Sequence, residues 1–191
     1  MKVCSDFDSV LVSTEVRYCD LFNEYTGEHL QPKDLNNYDT TKVVPKQFKA
    51  LAKRLWSAEE LYDDVWPVED SQSYTKMLSM NPNVELFVAT VCPPNLIYKK
   101  YKYMKRTFPW IRQENIYIIS KKQMLNCDVL IDDKAEQLVG GKYHKILFDM
   151  PYNRNINAMK EGMLRVYNWS EVFDEIIRLI HAREQIEELS K

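Results

Sequence analysis

Short apolar runs alternate along this chain with longer stretches whose apolar positions recur at helical spacing. The runs are "KVCSDF" at 2–7, "VELFVAT" at 84–90, "NIYIIS" at 115–120, "DVLID" at 128–132 and "HKILFD" at 144–149. Each is short enough and apolar enough for a strand buried on both faces. Between them the spacing predicts helices over about Thr14–Tyr25, closed by Gly27, over Ser71–Met80, and from the Pro93-Pro94 turn to about Phe108. Repeated strand–helix units predict an α/β fold with a Rossmann-like parallel sheet, and right-handed crossovers bring every strand's C-terminal end to one edge.

The alternation breaks between residues 28 and 70, where no strong strand appears. Two short helices are predicted there, one opening at Pro45 and one at Ser57, with Ser57 and Glu60 placed as a capping box. This stretch reads as a small helical cap (28–70) inserted after the first strand–helix unit of a core made of 1–27 and 71–191. The C-terminal helix carries Val172, Phe173, Ile176, Ile177, Leu179 and Ile180 on one face, which predicts packing on the sheet. Its far end is then left as a surface for a homodimer.

Composition narrows the possible roles. A chain of 191 residues with 45% hydrophobic residues is long enough to bury a full core. A formal charge of −2 argues against a bulk electrostatic grip on a nucleic-acid polymer and favours a small-molecule substrate. Cys4, Cys19, Cys92 and Cys127 form neither a CxxC pair nor a zinc spacing. Without a signal peptide or membrane span in the sequence, the expected location is cytoplasmic, with reduced thiols.

In open α/β sheets the ligand binds at the strand C-terminal edge. The residues predicted at that edge are Asp6 and Asp8, Thr90, Ser120 to Lys122, and the pair Asp132 and Asp133. Either acid pair alone is also the kind of residue that caps a following helix. Two pairs on one edge favour an all-oxygen site for Mg²⁺, a hard cation that bridges carboxylates and phosphate. Val10 and Leu11 rule out an EF-hand loop, and four glycines in the whole chain cannot build a P-loop. The ammonium of Lys122 and the hydroxyl of Thr90 are suited to phosphate oxygens.

The order "DFDSV", "LFVAT", Lys122, "DVLIDD" resembles the four motifs of the haloacid dehalogenase superfamily of phosphohydrolases. Within it, "YKKYKYMKRTFPW", "VLIDDKAEQL", "HKILFDMPYNR" and "RVYNW" resemble the 5′(3′)-deoxyribonucleotidases. The resemblance implies that Asp6 is the nucleophile and that Asp8 is the general acid and base. It implies Mg²⁺ held by Asp6, the backbone carbonyl of Asp8 and the Asp132/Asp133 pair, with Asp133 as the direct ligand. Thr90, Lys122 and the backbone N–H of Ser9 would hold the phosphate, and Tyr38 and Trp56 in the cap would form the base pocket. The implied substrate is a deoxyribonucleoside monophosphate. Three residues depart from the family pattern: Ser9 stands where Gly is usual, Val91 where Ser is usual and Thr14 where Phe is frequent. A phosphatase for another small ester or a nucleic-acid end, and a nucleotide sensor without turnover, are the competing readings. Lys100 and Arg154 read as solvated surface cations, with an extra phosphate or sugar contact as the alternative, and His29, His144 and His181 show no ligand spacing.

Overall fold

Six parallel strands line up in the order β3-β2-β1-β4-β5-β6 in the computed structural model, which describes residues 1–190. The strands are β1 (Lys2–Ser5), β2 (Glu85–Thr90), β3 (Ile116–Ile118), β4 (Val129–Asp132), β5 (His144–Phe148) and β6 (Leu164–Val166). The helices are α1 (Thr14–Thr26), α2 (Lys49–Leu55), α3 (Ser71–Met80), α4 (Ile97–Thr107), α5 (Ala135–Leu138) and α6 (Trp169–Leu189). The Rossmann-like α/β architecture expected from the sequence is present. The sheet reverses its winding at β1, which lies between β2 and β4.

The register explains why the chemistry collects where it does. Cys4 pairs with Phe87 on one side and with Leu130 on the other, so the C-terminal ends of β1, β2 and β4 finish side by side. Asp6 follows β1, Thr90 ends β2 and Asp132 ends β4, so all three reach the same edge. The first strand is shorter than expected. After Ser5 the Asp6 N–H still bonds to the Ile131 carbonyl at 2.8 Å, and the chain then turns so that Leu11 and Val12 donate to the Phe7 carbonyl. Phe7 is fully buried and meets Tyr103 and Phe108 edge-on at 6.1 Å each.

Gly27 ends α1 at φ 72°, in the left-handed region, with its N–H on the Asn23 carbonyl. There a side chain would be strained. The buried face of α6 (Trp169, Val172, Ile176, Ile180) joins the main core, as its apolar stripe predicts. Burying such a stripe stabilises by roughly 25 cal/mol per Å² of apolar surface removed from water.

The segment 28–70 contains α2 and 3-10 turns over Pro32–Asp34, Thr40–Lys42, Lys46–Phe48 and Glu59–Tyr62. The predicted second helix and its Ser57/Glu60 capping box do not form. Ser57 and Ala58 donate to the Arg54 and Leu55 carbonyls and so close α2, and the Ser57 carbonyl accepts from the Asn95 amide at 3.0 Å. Leu35, Val44, Ala52, Leu55, Leu61 and Val65 of this segment share one apolar cluster with the sheet core. Its exit is laced to the loop after β1: Ser13 N–H donates to the Trp66 carbonyl, and Val68 N–H to that of Leu11. Cys4 and Cys19 are buried and Cys92 and Cys127 half-buried, all four as free thiols. Among the described residues, no helix is long and apolar enough to cross a membrane.

Candidate active site

A cavity of about 540 Å³ opens between the strand ends and the segment 28–70. Asp6, Asp8, Ser9, Val91, Ser120, Asp132 and Asp133 line its floor, and Tyr38, Thr40, Lys53, Trp56, Leu61 and Tyr62 line the opposite wall.

The acidic floor is organised by two lysines. Lys122 is 1% exposed, and its ammonium donates to Asp132 Oδ2 at 2.6 Å and lies 2.8 Å from Asp6 Oδ1. Burial alone would pull its pKa down, but the charges of Asp6 and Asp132 outweigh burial and push it above the ordinary lysine value. The second lysine, Lys100, corrects the surface reading. It is only 2% exposed and donates to Asp8 Oδ2, to Thr90 Oγ1 at 2.5 Å and to the Val91 carbonyl at 3.1 Å. Arg154, by contrast, is exposed and pairs with Asp149.

Carboxylate oxygens of Asp6, Asp132 and Asp133 all lie within 4.8 Å of one another. Burial pushes the Asp132 carboxyl up to about 7 even though Lys122 opposes the shift. Burial, with the charges of Asp132 and Asp6, raises Asp133 further above the usual carboxylate range. With all three carboxylates ionised against the single charge of Lys122, the group carries −3 + 1 = −2, which a divalent cation would cancel. The donor set is all oxygen and hard, so it fits such an ion. Asp6 Oδ1 accepts the Phe7 N–H at 2.7 Å and Asp133 Oδ2 accepts the Tyr152 hydroxyl. Asp132 has both oxygens engaged, one by Lys122 and one by the Lys134 N–H at 2.8 Å. Asp6 Oδ2 and Asp133 Oδ1 are the oxygens left without a protein partner among the described residues.

Asp8 stands apart from that cluster. Its side chain takes the Tyr62 hydroxyl at 2.7 Å on Oδ1 and Lys100 on Oδ2, which leaves only its backbone carbonyl for a metal. Ser9 holds φ at 57°, a conformation that costs a non-glycine residue energy and agrees with the glycine usual there. Its N–H, expected to be free for phosphate, donates instead to the Val12 carbonyl at 2.8 Å and to Thr14 Oγ1 at 3.1 Å. Ser9 can therefore offer the cavity only its hydroxyl.

Tyr38 is 57% exposed at the cavity rim, with the Lys134 ammonium 3.8 Å from its ring centroid and Tyr152 edge-on at 5.7 Å. Trp56 stacks on Tyr18 at 4.4 Å and 13°, and its indole N–H donates to Thr40 Oγ1 at 3.2 Å. One face of the indole is thus covered while the ring still lines the cavity. Lys100, Tyr62 and Tyr152 were not singled out by sequence reasoning as contacts of Asp8 and Asp133. The helical stripe Leu96, Lys100, Tyr103, Met104 carried a usable signal, because it places a lysine at a core position of α4.

Nearby, Glu15 in the first turn of α1 is buried, and its Oε2 has no hydrogen-bond partner among the described residues. Burial raises its pKa, partly opposed by hydrogen bonds from its own backbone and Ser9. A folded-state pKa above the unfolded one contributes stability that is fully present below about pH 4 and is lost as pH rises through the folded value. Glu15→Gln mimics the protonated form. The variant is expected to melt with wild type in acid and about 2–4 °C above it at neutral pH, corresponding to ~1 kcal/mol. Parallel melts across pH check this, and a constant difference contradicts it.

The family model for "5′ nucleotidase, deoxy (Pyrimidine), cytosolic type C protein" matches residues 1–185. The chain belongs to this family. It is a hydrolase of the phosphatase and nucleotidase class. The chain is 27% identical over 170 residues to a 5′(3′)-deoxyribonucleotidase of Bacillus subtilis (strain 168), covering 89% of this chain and 95% of that one. The same figures hold for a 5′(3′)-deoxyribonucleotidase of Bacillus phage SPbeta. Among solved structures, a haloacid dehalogenase-like hydrolase from Streptococcus pneumoniae superposes with a TM-score of 0.62 at 12% identity, covering 92% of this chain and 97% of that one. The hydrolase YfnB of Bacillus subtilis, bound to magnesium, gives 0.58 at 12% identity, covering 91% and 96%. At such identities the two structures establish the shared fold of this nucleotidase-family chain.

Proposed function

We propose that this protein hydrolyses deoxyribonucleoside 5′(3′)-monophosphates with Mg²⁺, through a phosphoryl group carried transiently on Asp6. The observation that carries the reading is the grouping of Asp6, Asp132 and Asp133 around Lys122, with Asp8 held beside them. Asp6 Oδ2 attacks phosphorus in line. The bond from phosphorus to the nucleoside oxygen breaks, and that oxygen takes a proton from Asp8. Water then attacks the phosphoryl group and gives its proton to Asp8, the bond to Asp6 breaks, and inorganic phosphate leaves. Asp6, Asp133, the Asp8 carbonyl and Asp132 would hold Mg²⁺, which when bound would supply charge neutralisation and alignment of the phosphate. Thr90, Lys122 and the Ser9 hydroxyl bind phosphate oxygens. Residues 28–70 act as the cap over the core of 1–27 and 71–191, with Tyr38 and Trp56 receiving the base.

The test is phosphate release with Mg²⁺ from a panel of deoxy- and ribonucleoside 5′- and 3′-monophosphates, a sugar phosphate and an aryl phosphate. Preferential turnover of deoxynucleotides is expected. Trp56→Ala is expected to lower kcat/KM for nucleotides about tenfold more than for the aryl ester, since stacking a base on an aromatic ring contributes roughly 1–3 kcal/mol. Equal losses on both would make Trp56 a packing residue on Tyr18. Turnover of the aryl phosphate alone would remove the substrate assignment, and nucleotide binding without phosphate release would favour a sensor.

A further inference from the structure

We propose that Tyr62 is a positioning residue for proton transfer, tying the cap to Asp8 through its hydroxyl. The inference rests on the role given to Asp8 above. Tyr62 donates to Asp8 Oδ1 at 2.7 Å across a separation of 54 residues.

The tyrosine is rigidly mounted. Its ring is buried against Phe7 (6.5 Å) and Tyr103 (6.3 Å), with Lys100 5.6 Å from its centroid. The backbone that follows is pinned from both sides. The Tyr103 hydroxyl donates to the Val65 carbonyl at 2.7 Å, Lys99 pairs with Asp63 at 2.6 Å, and the Trp66–Val68 strap is bonded to the loop that follows Asp8. A donor held this firmly fixes the rotamer of the group it meets.

The two partners of Asp8 differ in what they tolerate. An ammonium only donates, and Lys100 already spends its remaining N–H groups on Thr90 and the Val91 carbonyl. Its positive charge therefore favours the carboxylate form over the neutral acid. A hydroxyl both donates and accepts. Tyr62 can donate to Asp8 Oδ1 in either protonation state, because the oxygen of a carboxylic O–H still accepts, and the acid proton stays free for the leaving oxygen. Asp8 thus keeps one anchor through both halves of the cycle, and that anchor belongs to the cap that covers the substrate.

A leaving nucleoside oxygen needs a proton, whereas an aryl oxide leaves without one. Positioning of the acid should therefore matter to the first ester far more than to the second. Wild type, Tyr62→Phe and Asp8→Asn are compared by kcat and KM on a deoxynucleoside 5′-monophosphate and on 4-nitrophenyl phosphate, with thermal melts alongside. Phe keeps the ring packing and removes only the hydroxyl.

Asp8→Asn is expected to lose far more kcat/KM on the nucleotide than on the aryl ester. Tyr62→Phe is expected to show the same split, about tenfold, in kcat/KM, which reports the transfer to Asp6, with the nucleotide KM within about threefold of wild type. If Asp8→Asn splits the substrates and Tyr62→Phe does not, the positioning role falls and the role of Asp8 stands. Equal losses on both esters in Asp8→Asn overturn the acid role and this inference together.

Discussion

Asp6→Asn is expected to lower phosphate release by at least about 10³-fold while the protein still folds, because an amide cannot replace a carboxylate nucleophile. The geometry separates the two effects. Asp6 Oδ1 accepts the Phe7 N–H at 2.7 Å and meets Lys122 at 2.8 Å, and an amide oxygen can take both contacts. Oδ2, the atom proposed to attack phosphorus, has no structural partner to lose. Replacing one of three converging carboxylates with a neutral group also relieves repulsion, and Lys122 keeps Asp132 at 2.6 Å. A melting temperature within a few degrees of wild type, together with lost turnover, is the expected pair of results. Acid-quenched wild type taken during turnover should carry a phosphoryl group on the Asp6 peptide. Turnover retained in the variant, or a labelled peptide elsewhere, would remove Asp6 as nucleophile.

Much of this arrangement is legible in the chain because it depends on strand ends, and strand ends follow from short apolar runs. Asp6, Thr90 and Asp132 reach one edge through sheet register alone, which the repeating strand–helix pattern dictates. The position of Lys122 is harder to read. It lies on a 3-10 turn before β4, and only its spacing to Asp132 hints that it turns inward. The inner lysine of α4 was masked by its neighbours. In "KKYKYMKR" four lysines and an arginine look alike, and burial of Lys100 follows only from the phase of the helix set by Leu96 and Met104.

The segment 28–70 is the least legible region, again for a physical reason. The turn over Glu59–Tyr62 has no side-chain cap, and the Ser57 carbonyl before it is met by the distant Asn95 amide. Local capping logic therefore placed a helix start at Ser57 where the chain closes the preceding helix instead. Which of the cap aromatics turns a hydroxyl toward Asp8 is likewise set by the strap at Trp66–Val68, a long-range feature with no local signature. The left-handed Ser9 marks the same loop from the other side. The departure from glycine was visible in the sequence, but the consequence, an N–H committed to Val12 and Thr14, came from the turn.

Lys122→Met is expected to destabilise the metal-free protein by about 3–5 kcal/mol, because removing one member of a buried ion pair leaves its partners uncompensated. For a chain of this size that is a fall in melting temperature on the order of 10 °C. Asp6, Asp132 and Asp133 would then share the floor with no ammonium among them. The loss should depend on pH, and its sign follows from Asp132, whose pKa burial has already raised to about 7 with Lys122 opposing the shift. Without Lys122 that pKa rises further. A raised folded pKa gives stability that is present below the unfolded value and lost as pH climbs through the folded one. The gap between wild type and variant should therefore widen from about pH 6 to pH 8. A divalent cation should narrow it, because a site with one more uncompensated negative charge gains more from binding, and a ligand stabilises the fold by its affinity for it. Mg²⁺ is thus expected to raise the melting temperature of Lys122→Met more than that of wild type, even though the variant turns over at least about 10²-fold more slowly. The measurement is a set of melts with chelator and with Mg²⁺ at both pH values. Equal Mg²⁺ shifts in the two proteins would mean that Lys122 and the cation site are not electrostatically coupled, and the grouping of these three acids would then need another explanation.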